Sequence, residues 1–511
     1  MLRSFLFAFL FWSVSHAADS VFRFHLISEP GSLKPWDQKT SASGYMLSQV
    51  TGTLLTYQDH KLTGNLAEKC EYKTPTRVRC QLRSDIKWSN GQAITAPDFV
   101  RSFQDFVSRE NRAFRADLLF PIKNARKIFS GKMPKSKLKV KAVKDSVLEI
   151  DLEEPDSEFL YALISPLSAP SPSGEWPSVE AIRAKPESYL SSGPYEISQW
   201  TAQKKITLKP NPYYWKKGSR PQLEIISVAE DSVALNLYEK GELSFLRRLP
   251  TLLIPKYKDR PDFYEIEQIR FDYLGFAPRW KQSMALRRSL SRALSYSDLQ
   301  KLFQSKGMPG CTGIPEALAA EKVCLVFDPV EAQSEWKPLK EKPQKFELVY
   351  SRQGGDSNKQ AMEWVQAELK KNLNFSIEVN GLENQIFLEK ISKNPPDMFR
   401  KGVAPERPTC LSALEPFETN HPENYIQFSD TRFDKILRKM KGMGNPQKKQ
   451  KLCSEALHLL IDPAWLIPLG PMHFTILASP QWSGWRLNEL NQLDLSELTL
   501  SPSSATPKAG P

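Results

Sequence analysis

The stretch Arg83-Ser-Asp-Ile-Lys-Trp-Ser-Asn-Gly91, running on through Gln-Ala-Ile to Thr95-Ala-Pro-Asp-Phe-Val100, reads as a strand end, a turn and a helix start in immediate succession. Just upstream, Val78, Cys80 and Leu82 alternate with polar residues, the period of a strand with one buried face. Ser89-Asn90-Gly91 supplies residues that tolerate positive φ, as a tight turn requires. Thr95 is placed to cap a helix, with Asp98 at the third helical position as its reciprocal partner. Phe99, Phe103 and Phe106 follow at helical spacing, with Val100 and Val107 beside them.

Working outward, Phe22 to Ile27 reads as a strand, and strands with short helices run on to about Leu163. A Pro/Ser-rich stretch, Ser165 to Ser178, marks a crossing between domains or a long surface loop. Ser192-Gly-Pro-Tyr to Trp200 and Ile206 to Trp215 give a Gly-Pro turn and two strands, the second stopped by proline. The helix from Met284 to Tyr296 has Leu286, Leu290, Ala293 and Leu294 as its apolar stripe, with Arg287, Arg288 and Arg292 largely off it. Ser297 is expected to start the next helix, with Gln300 as its box partner. Phe346 to Tyr350 alternates as a strand, Gln360 to Lys371 is helical, and Phe375, Ile377 and Val379 form a second strand. This is a βαβ unit and argues for an α/β fold.

The N-terminus predicts export. Arg3 precedes the apolar run Phe5 to Val14, and Ser15-His-Ala17 supplies small residues where a signal peptidase reads, so residues 1–17 are expected to be a signal peptide, with Ala18 the near alternative for cleavage. The run is about half the ~20 residues needed to span a bilayer. The first cysteine is Cys70, so no lipoprotein anchor is expected, and no later segment is long and apolar enough to cross a membrane. A chain of 511 residues predicts roughly three domains. The 39 prolines against 23 glycines favour fixed loops over flexible linkers. The net charge of +12 is spread thinly, densest from Lys123 to Lys144. That cluster reads as a solvated, lysine-lined strand and loop, or alternatively as a patch for anionic partners. Nucleic acid is excluded as a partner by export. The tail 501–511 is Ser/Pro/Ala-rich and expected to be disordered.

Six cysteines in an oxidising compartment imply up to three disulfides. Cys70 and Cys80 lie in alternating segments at equal distance from a turn near Pro75, which sets them across from each other on a hairpin. Cys311 with Cys324 and Cys410 with Cys453 are the next most economical pairs, although sequence alone leaves the connectivity open. No Cys-x-x-Cys and no neighbouring histidine supports a metal site instead.

In their order along the chain, these segments resemble the periplasmic oligopeptide-binding proteins, the peptide and nickel branch of family 5 of the ABC-transporter solute-binding proteins. Arg83 to Val100 is similar to that family's "LRxGxKWSDGxPxTAxDFxxS", and Glu29-Pro-Gly-Ser-Leu-Lys-Pro35 to its "EPxSLDP", with Lys34 in place of the usual aspartate. Ser192 to Trp200 and Ile206 to Trp215 are similar to "GTGPYxLxxW" and "LxxNPxYW"; Leu235 to Leu243, Phe428 to Leu437 and Asp462 to Leu469 also resemble family segments. The resemblance covers nearly the whole mature chain. It implies a two-lobed, periplasmic-binding-protein-like α/β fold of class II, cluster C, with a discontinuous first lobe and an additional small domain. The expected division is lobe I over 18–45, 166–265 and 481–500, the extra domain over 46–165, and lobe II over 266–480.

The same resemblance implies the function and its residues. Members close around an extended peptide, bond its main chain in the manner of a β-strand, and present it to an ABC permease in the inner membrane. The charged clamp of the family, an arginine and an aspartate near "RxGWxxDYxxP", falls on Met398-Phe-Arg-Lys-Gly-Val-Ala-Pro-Glu-Arg-Pro408. Counting forward from Arg400 and Gly402 puts Glu406 at the aspartate's place; counting back from Pro408 leaves Ala404 there, and Val403 stands for the usual tryptophan. Tyr273 and Leu274 correspond to the main-chain contact strand, and Ser32 lies in the opening segment that faces the cleft.

Catalysis finds no support in the sequence. There is no Gly-x-Ser-x-Gly, His-Glu-x-x-His or Gly-rich phosphate loop, the six histidines are dispersed, and Glu153-Glu154 reads as a solvated strand end. The expectation is therefore a monomeric periplasmic receptor for a peptide or related small solute, with no cofactor and no enzymatic activity. A receptor for a nickel chelate, an opine or a cell-wall fragment, a secreted hydrolase, and a periplasmic chaperone or interaction protein are the alternatives.

Overall fold

The computed structural model describes residues 21–501 except 114, 304–309, 313, 315–317, 341 and 353–355. The expected signal peptide and all of the expected tail beyond Ser501 lie outside the described residues.

The stretch from Arg77 to Phe106 folds as its sequence dictates. Val78, Cys80 and Leu82 are the buried side of the strand Arg77–Leu82. Gly91 takes the turn at φ +86°, a conformation that glycine adopts without a Cβ clash. Helix Ala96–Phe106 opens with a capping box in which the Thr95 amide donates to Asp98 Oδ2 at 2.8 Å. Its buried Phe99, Phe103 and Phe106 cover an antiparallel sheet of Ala67–Thr74, Arg77–Leu82, Val147–Asp151 and Val140–Lys144, in that order. Together they enclose a core of their own, drawn from residues 54–167. This is the small accessory domain.

The rest of the chain is organised by a ten-stranded sheet in which the fourth and fifth members from one edge are long. The first crossover strand, Phe263–Phe276, runs antiparallel to the second, Leu466–Ala478. At one end of the pair the sheet continues through Phe245–Leu246, Val21–Leu26, Gln222–Ser227, Lys205–Pro210 and Tyr195–Thr201. At the other end it continues through Met398–Val403, Glu347–Ser351 and Glu378–Leu382. Each half is covered on both faces: one by the cores around Phe22, Phe24 and Tyr195 and around Leu235 and Leu246, the other by those around Phe399 and Leu457 and around Leu348 and Met362. The result is two α/β lobes joined by the crossover pair. Register slips between Glu267 and Phe271 and again between Phe271 and Tyr273, so the ladder lapses where the lobes meet.

Three disulfides form: Cys70–Cys80, in register across the accessory hairpin, Cys311–Cys324 and Cys410–Cys453. Several local expectations shift. Arg287, expected off the apolar stripe, is 2% exposed, because its guanidinium donates to the carbonyls of Trp280, Lys281, Pro463 and Ala464 and lies over the Trp465 ring. The next helix starts two residues early, at Tyr296, because Ser295 rather than Ser297 makes the local bond, its hydroxyl donating to Asp298. Phe375 and Ile377 are buried in the core ahead of a strand that starts only at Glu378. That strand lies parallel to Glu347–Ser351, as a βαβ unit requires. The division at residue 46 falls inside helix Ser41–Val50, which packs Tyr45, Met46, Leu47 and Val50 into the first-lobe core. Ile476 and Ala478 join the same core, so the second crossover strand belongs to both lobes rather than ending lobe II at 480.

Candidate functional site

A cavity of about 1310 Å³ lies where both lobes and the accessory domain meet, larger than the roughly 300–1,000 Å³ of ordinary small-molecule sites. The first lobe contributes Lys39, Tyr45 and Ser48, the accessory domain Tyr57, Asn65 and Arg115, and the second lobe Ala404, Pro405 and Glu406. The six consecutive residues Glu265 to Arg270 and the returning segment Trp485 to Asp494 supply the remaining wall, with Trp215 and Phe474 among its aromatic surface.

The backbone explains why residues 265–270 face the cavity. Gln268, Ile269 and Arg270 have no partner in the second crossover strand, and the Ile269 amide donates to the Glu489 carbonyl at 3.1 Å. The opposing strand is irregular immediately beside this stretch, where Pro471 and Pro468 face Phe271 and Tyr273. Pro468 and Pro471 have no N–H to give the ladder, and Gly470 between them takes φ +100°. Main-chain groups are thereby left beside the cavity at the level of the lobe junction.

Glu406 lines the cavity with its side chain 38% exposed, and it accepts from Arg115 Nη1 at 2.9 Å. Arg115 belongs to the accessory domain, so this ion pair spans the cleft. Burial pushes the Glu406 carboxyl above the ordinary range, with Arg115 pulling the other way and Asp117 and Glu423 adding to the rise. Arg115 in turn donates to both Asp117 oxygens at 3.2 Å.

Of the six residues named from the resemblance, Glu406 lines the cavity and the other five do not. Arg400 is turned into the protein, where it contacts the buried Asp272 carboxylate. Burial alone would push the Asp272 carboxyl up; Arg400 and Arg270 outweigh it and hold the group below its ordinary value. Gly402 pairs with Asp272 across the strands, and a Cβ there would meet the Asp272 carboxylate and the Arg270 guanidinium. Leu274 pairs with Arg400 on one side and Ile467 on the other, and Tyr273 is likewise paired on both sides. Their main chain is therefore committed to the sheet, and their side chains are buried in core. The Ser32 hydroxyl accepts from the Lys34 amide at 3.2 Å, a local turn. The stretch of crossover strand without a partner in Leu466–Ala478 lies a few residues upstream of the one expected, at 268–270.

Residues 61–425 match the model for "Bacterial extracellular solute-binding proteins, family 5 Middle". The dipeptide-binding protein DppE of Bacillus subtilis (strain 168) is 23% identical over 491 residues, 92% of this chain and 90% of that protein. The probable deoxycholate-binding periplasmic protein YgiS of Escherichia coli (strain K12) is 24% identical over 500 residues, 92% of each. Among solved structures, the Escherichia coli murein tripeptide binding protein MppA superimposes with a TM-score of 0.80 at 19% identity, covering 94% of this chain and 98% of that one.

Proposed function

The chain belongs to the family 5 bacterial extracellular solute-binding proteins, and on that premise we propose that it captures a short peptide in the cavity between its lobes and delivers it to an ABC permease of the inner membrane. The observation that carries this reading is the main chain of Gln268 to Arg270 in the cavity wall, which the second crossover strand does not pair. An extended peptide laid along it adds a strand to a ladder that has lapsed, which gives affinity without reading side chains. Glu406, across the cleft, offers its carboxylate to the ligand's ammonium end. The lapse in register makes the crossover pair the hinge, and contacts that both lobes make only to a bound ligand drive closure. In this reading residues 1–17 direct export, the mature protein works as a periplasmic monomer, and it binds without turning its ligand over. Among the described residues no helix is long and apolar enough to cross a membrane.

Native mass spectrometry of protein taken from its own periplasm tests the assignment, followed by titration of tripeptides against the fluorescence of Trp215 and Trp485. Released masses fitting mixed short peptides, with saturable quenching by added tripeptide, are expected. An empty protein that ignores di- to pentapeptides would remove the peptide assignment.

A further inference from the structure

The cavity wall carries five lysines and arginines, and four of them are matched. Lys39 lies 2.6 Å from Asp37 and Arg115 lies 2.9 Å from Glu406, while Lys216 and Arg486 both touch Glu497 directly. Arg270 differs. Its one partner among the described residues is Asp272, reached from Nε at 3.4 Å, the long limit of a hydrogen bond. That carboxylate is 1% exposed and already in contact with Arg400. Two guanidiniums thus share one buried carboxylate. Arg400 is the sealed member, 12% exposed, and Arg270 is the open one, 42% exposed and facing the cavity with both terminal nitrogens uncommitted.

The neighbouring residues fix that arrangement. Arg270 stands on the stretch of crossover strand that the second strand does not pair. Gly402 leaves open the space in which Asp272 and Arg270 meet; a Cβ there would sit 2.8 Å from one Arg270 terminal nitrogen. An arginine aimed from beneath, carrying the excess positive charge of a three-group cluster, is built to take a carboxylate through two parallel N–H bonds.

We propose that Arg270, not Arg400, receives the carboxylate of the bound solute, with Asp272 and Arg400 beneath it as the groups that aim it. The assignment rests on the reading of this cavity as the ligand site, and it defines the ligand class as solutes that end in a free carboxylate.

Calorimetry on the full-length mature protein tests it with three probes: trialanine, trialanine amide and deoxycholate, a carboxylate that is not a peptide. The wild-type protein is expected to bind trialanine at least tenfold more tightly than its amide. Arg270→Gln should lower trialanine affinity tenfold or more while leaving the amide within threefold, and Arg270→Lys should fall between, keeping the charge and losing the fork. Thermal midpoints within a few degrees of wild type certify the fold, since Asp272 keeps Arg400 in both variants. Equal affinity for acid and amide, or an acid preference that survives Arg270→Gln, overturns the proposal. If neither peptide binds but deoxycholate does, and Arg270→Gln abolishes that binding, the peptide assignment falls and the carboxylate site stands. If deoxycholate binding survives the substitution, or no probe binds, the carboxylate site falls as well.

Discussion

Lys449 Nζ donates to Glu158 Oε1 at 2.7 Å, joining the second lobe to the accessory domain, with the glutamate side chain only 3% exposed. Beside it the Ser157 amide donates to the Lys441 carbonyl at 2.9 Å, and the Ser157 hydroxyl lies 2.8 Å from the Met443 carbonyl. With the Arg115–Glu406 pair, these contacts close the cleft on the accessory side. Lys449→Met leaves Glu158 buried without its cation, and opening the cleft is the cheapest way to rehydrate it. The variant is expected to show a larger radius of gyration in solution scattering and roughly tenfold weaker ligand binding, a penalty of about 1.4 kcal/mol. Adding Glu158→Gln should restore most of both. A single variant as compact as wild type would exclude this pair from the closure equilibrium.

As the proposed partner of the ligand's ammonium, Glu406 should make ligand capture sensitive to acid. Burial raises its carboxyl despite Arg115, so it takes up a proton at a higher pH than an ordinary glutamate. A protonated Glu406 has no charge for a ligand's ammonium. Tripeptide affinity is therefore expected to hold at neutral pH and to fall several-fold on acidification, beginning above the ordinary glutamate value of about 4.3. Glu406→Gln should bind more weakly at pH 7 and lose this dependence. The check is titration calorimetry of both proteins at pH 7.5, 6 and 5.

How far the site could be read from sequence differs between its parts. The Arg83 to Val100 stretch is locally determined: alternation, turn residues and a capping box each act within a few positions, and all appear in the structure. Counting forward from Arg400 and Gly402 gives Glu406 and counting back from Pro408 gives Ala404, and both line the cavity. Arg270 and Arg115 are not legible in the sequence, because what makes each of them face the cavity lies far away in the chain. Arg270 lies where pairing with a strand about 200 residues later lapses, and Arg115 is recruited by Glu406 from another domain. Arg400, expected in the charged clamp, is turned into the protein for a related reason. Its partner Asp272 comes from the adjacent strand, and no periodicity in either segment announces the pairing. The two prolines in an otherwise apolar strand were the visible sign that its ladder had to lapse.

Asp272→Asn tests the buried cluster. The aspartate neutralises Arg400 at a site from which water is nearly excluded, so its loss is expected to cost about 3–5 kcal/mol, the usual range for removing one partner of a buried pair. Because the folded carboxyl is held below its ordinary value, its contribution is complete above about pH 3.9 and is lost as pH falls through the depressed value. Urea denaturation at pH 7 and 3 should show wild type losing part of its advantage over Asp272→Asn on acidification. An advantage that stays constant or grows would contradict the assigned direction.

His25 provides a second acid-sensitive element, in the first lobe. It is 1% exposed on strand Val21–Leu26, and burial, then the nearby Arg247 and Arg248, lower its imidazole from 6.5 to about 4. The folded protein keeps it neutral while the unfolded chain protonates it, so stability is full above pH 6.5 and declines as pH falls toward 4. The loss accumulates to about 3 kcal/mol across that window. His25→Leu should remove this part of the slope between pH 7 and 4.5 in parallel urea titrations, whatever its absolute stability. An undiminished slope would assign the acid sensitivity to other groups.

The disulfides should rank by the length of chain they close. Cys410 and Cys453 are 43 residues apart and tie helix Cys410–Leu414 to helix Pro446–Ile461, whereas Cys70 and Cys80 are 10 apart on one hairpin. Loop-closure entropy assigns about 4 kcal/mol to the longer bridge and about 2.7 kcal/mol to the shorter. The hairpin bridge also joins strands already held in register by their ladder, so its removal changes the folded state little. Paired Cys→Ala variants are expected to lose stability in that order, with the Cys410/Cys453 variant at least 1 kcal/mol the worse. Its effect should also reach the cavity, because Glu406 lies only four residues before Cys410 and helix Pro446–Ile461 carries Lys449. Weakened tripeptide binding should therefore accompany loss of the longer bridge but not of the hairpin bridge. Equal losses of stability with unchanged binding in both variants would show that the Cys410–Cys453 bridge fastens the second lobe without supporting the site.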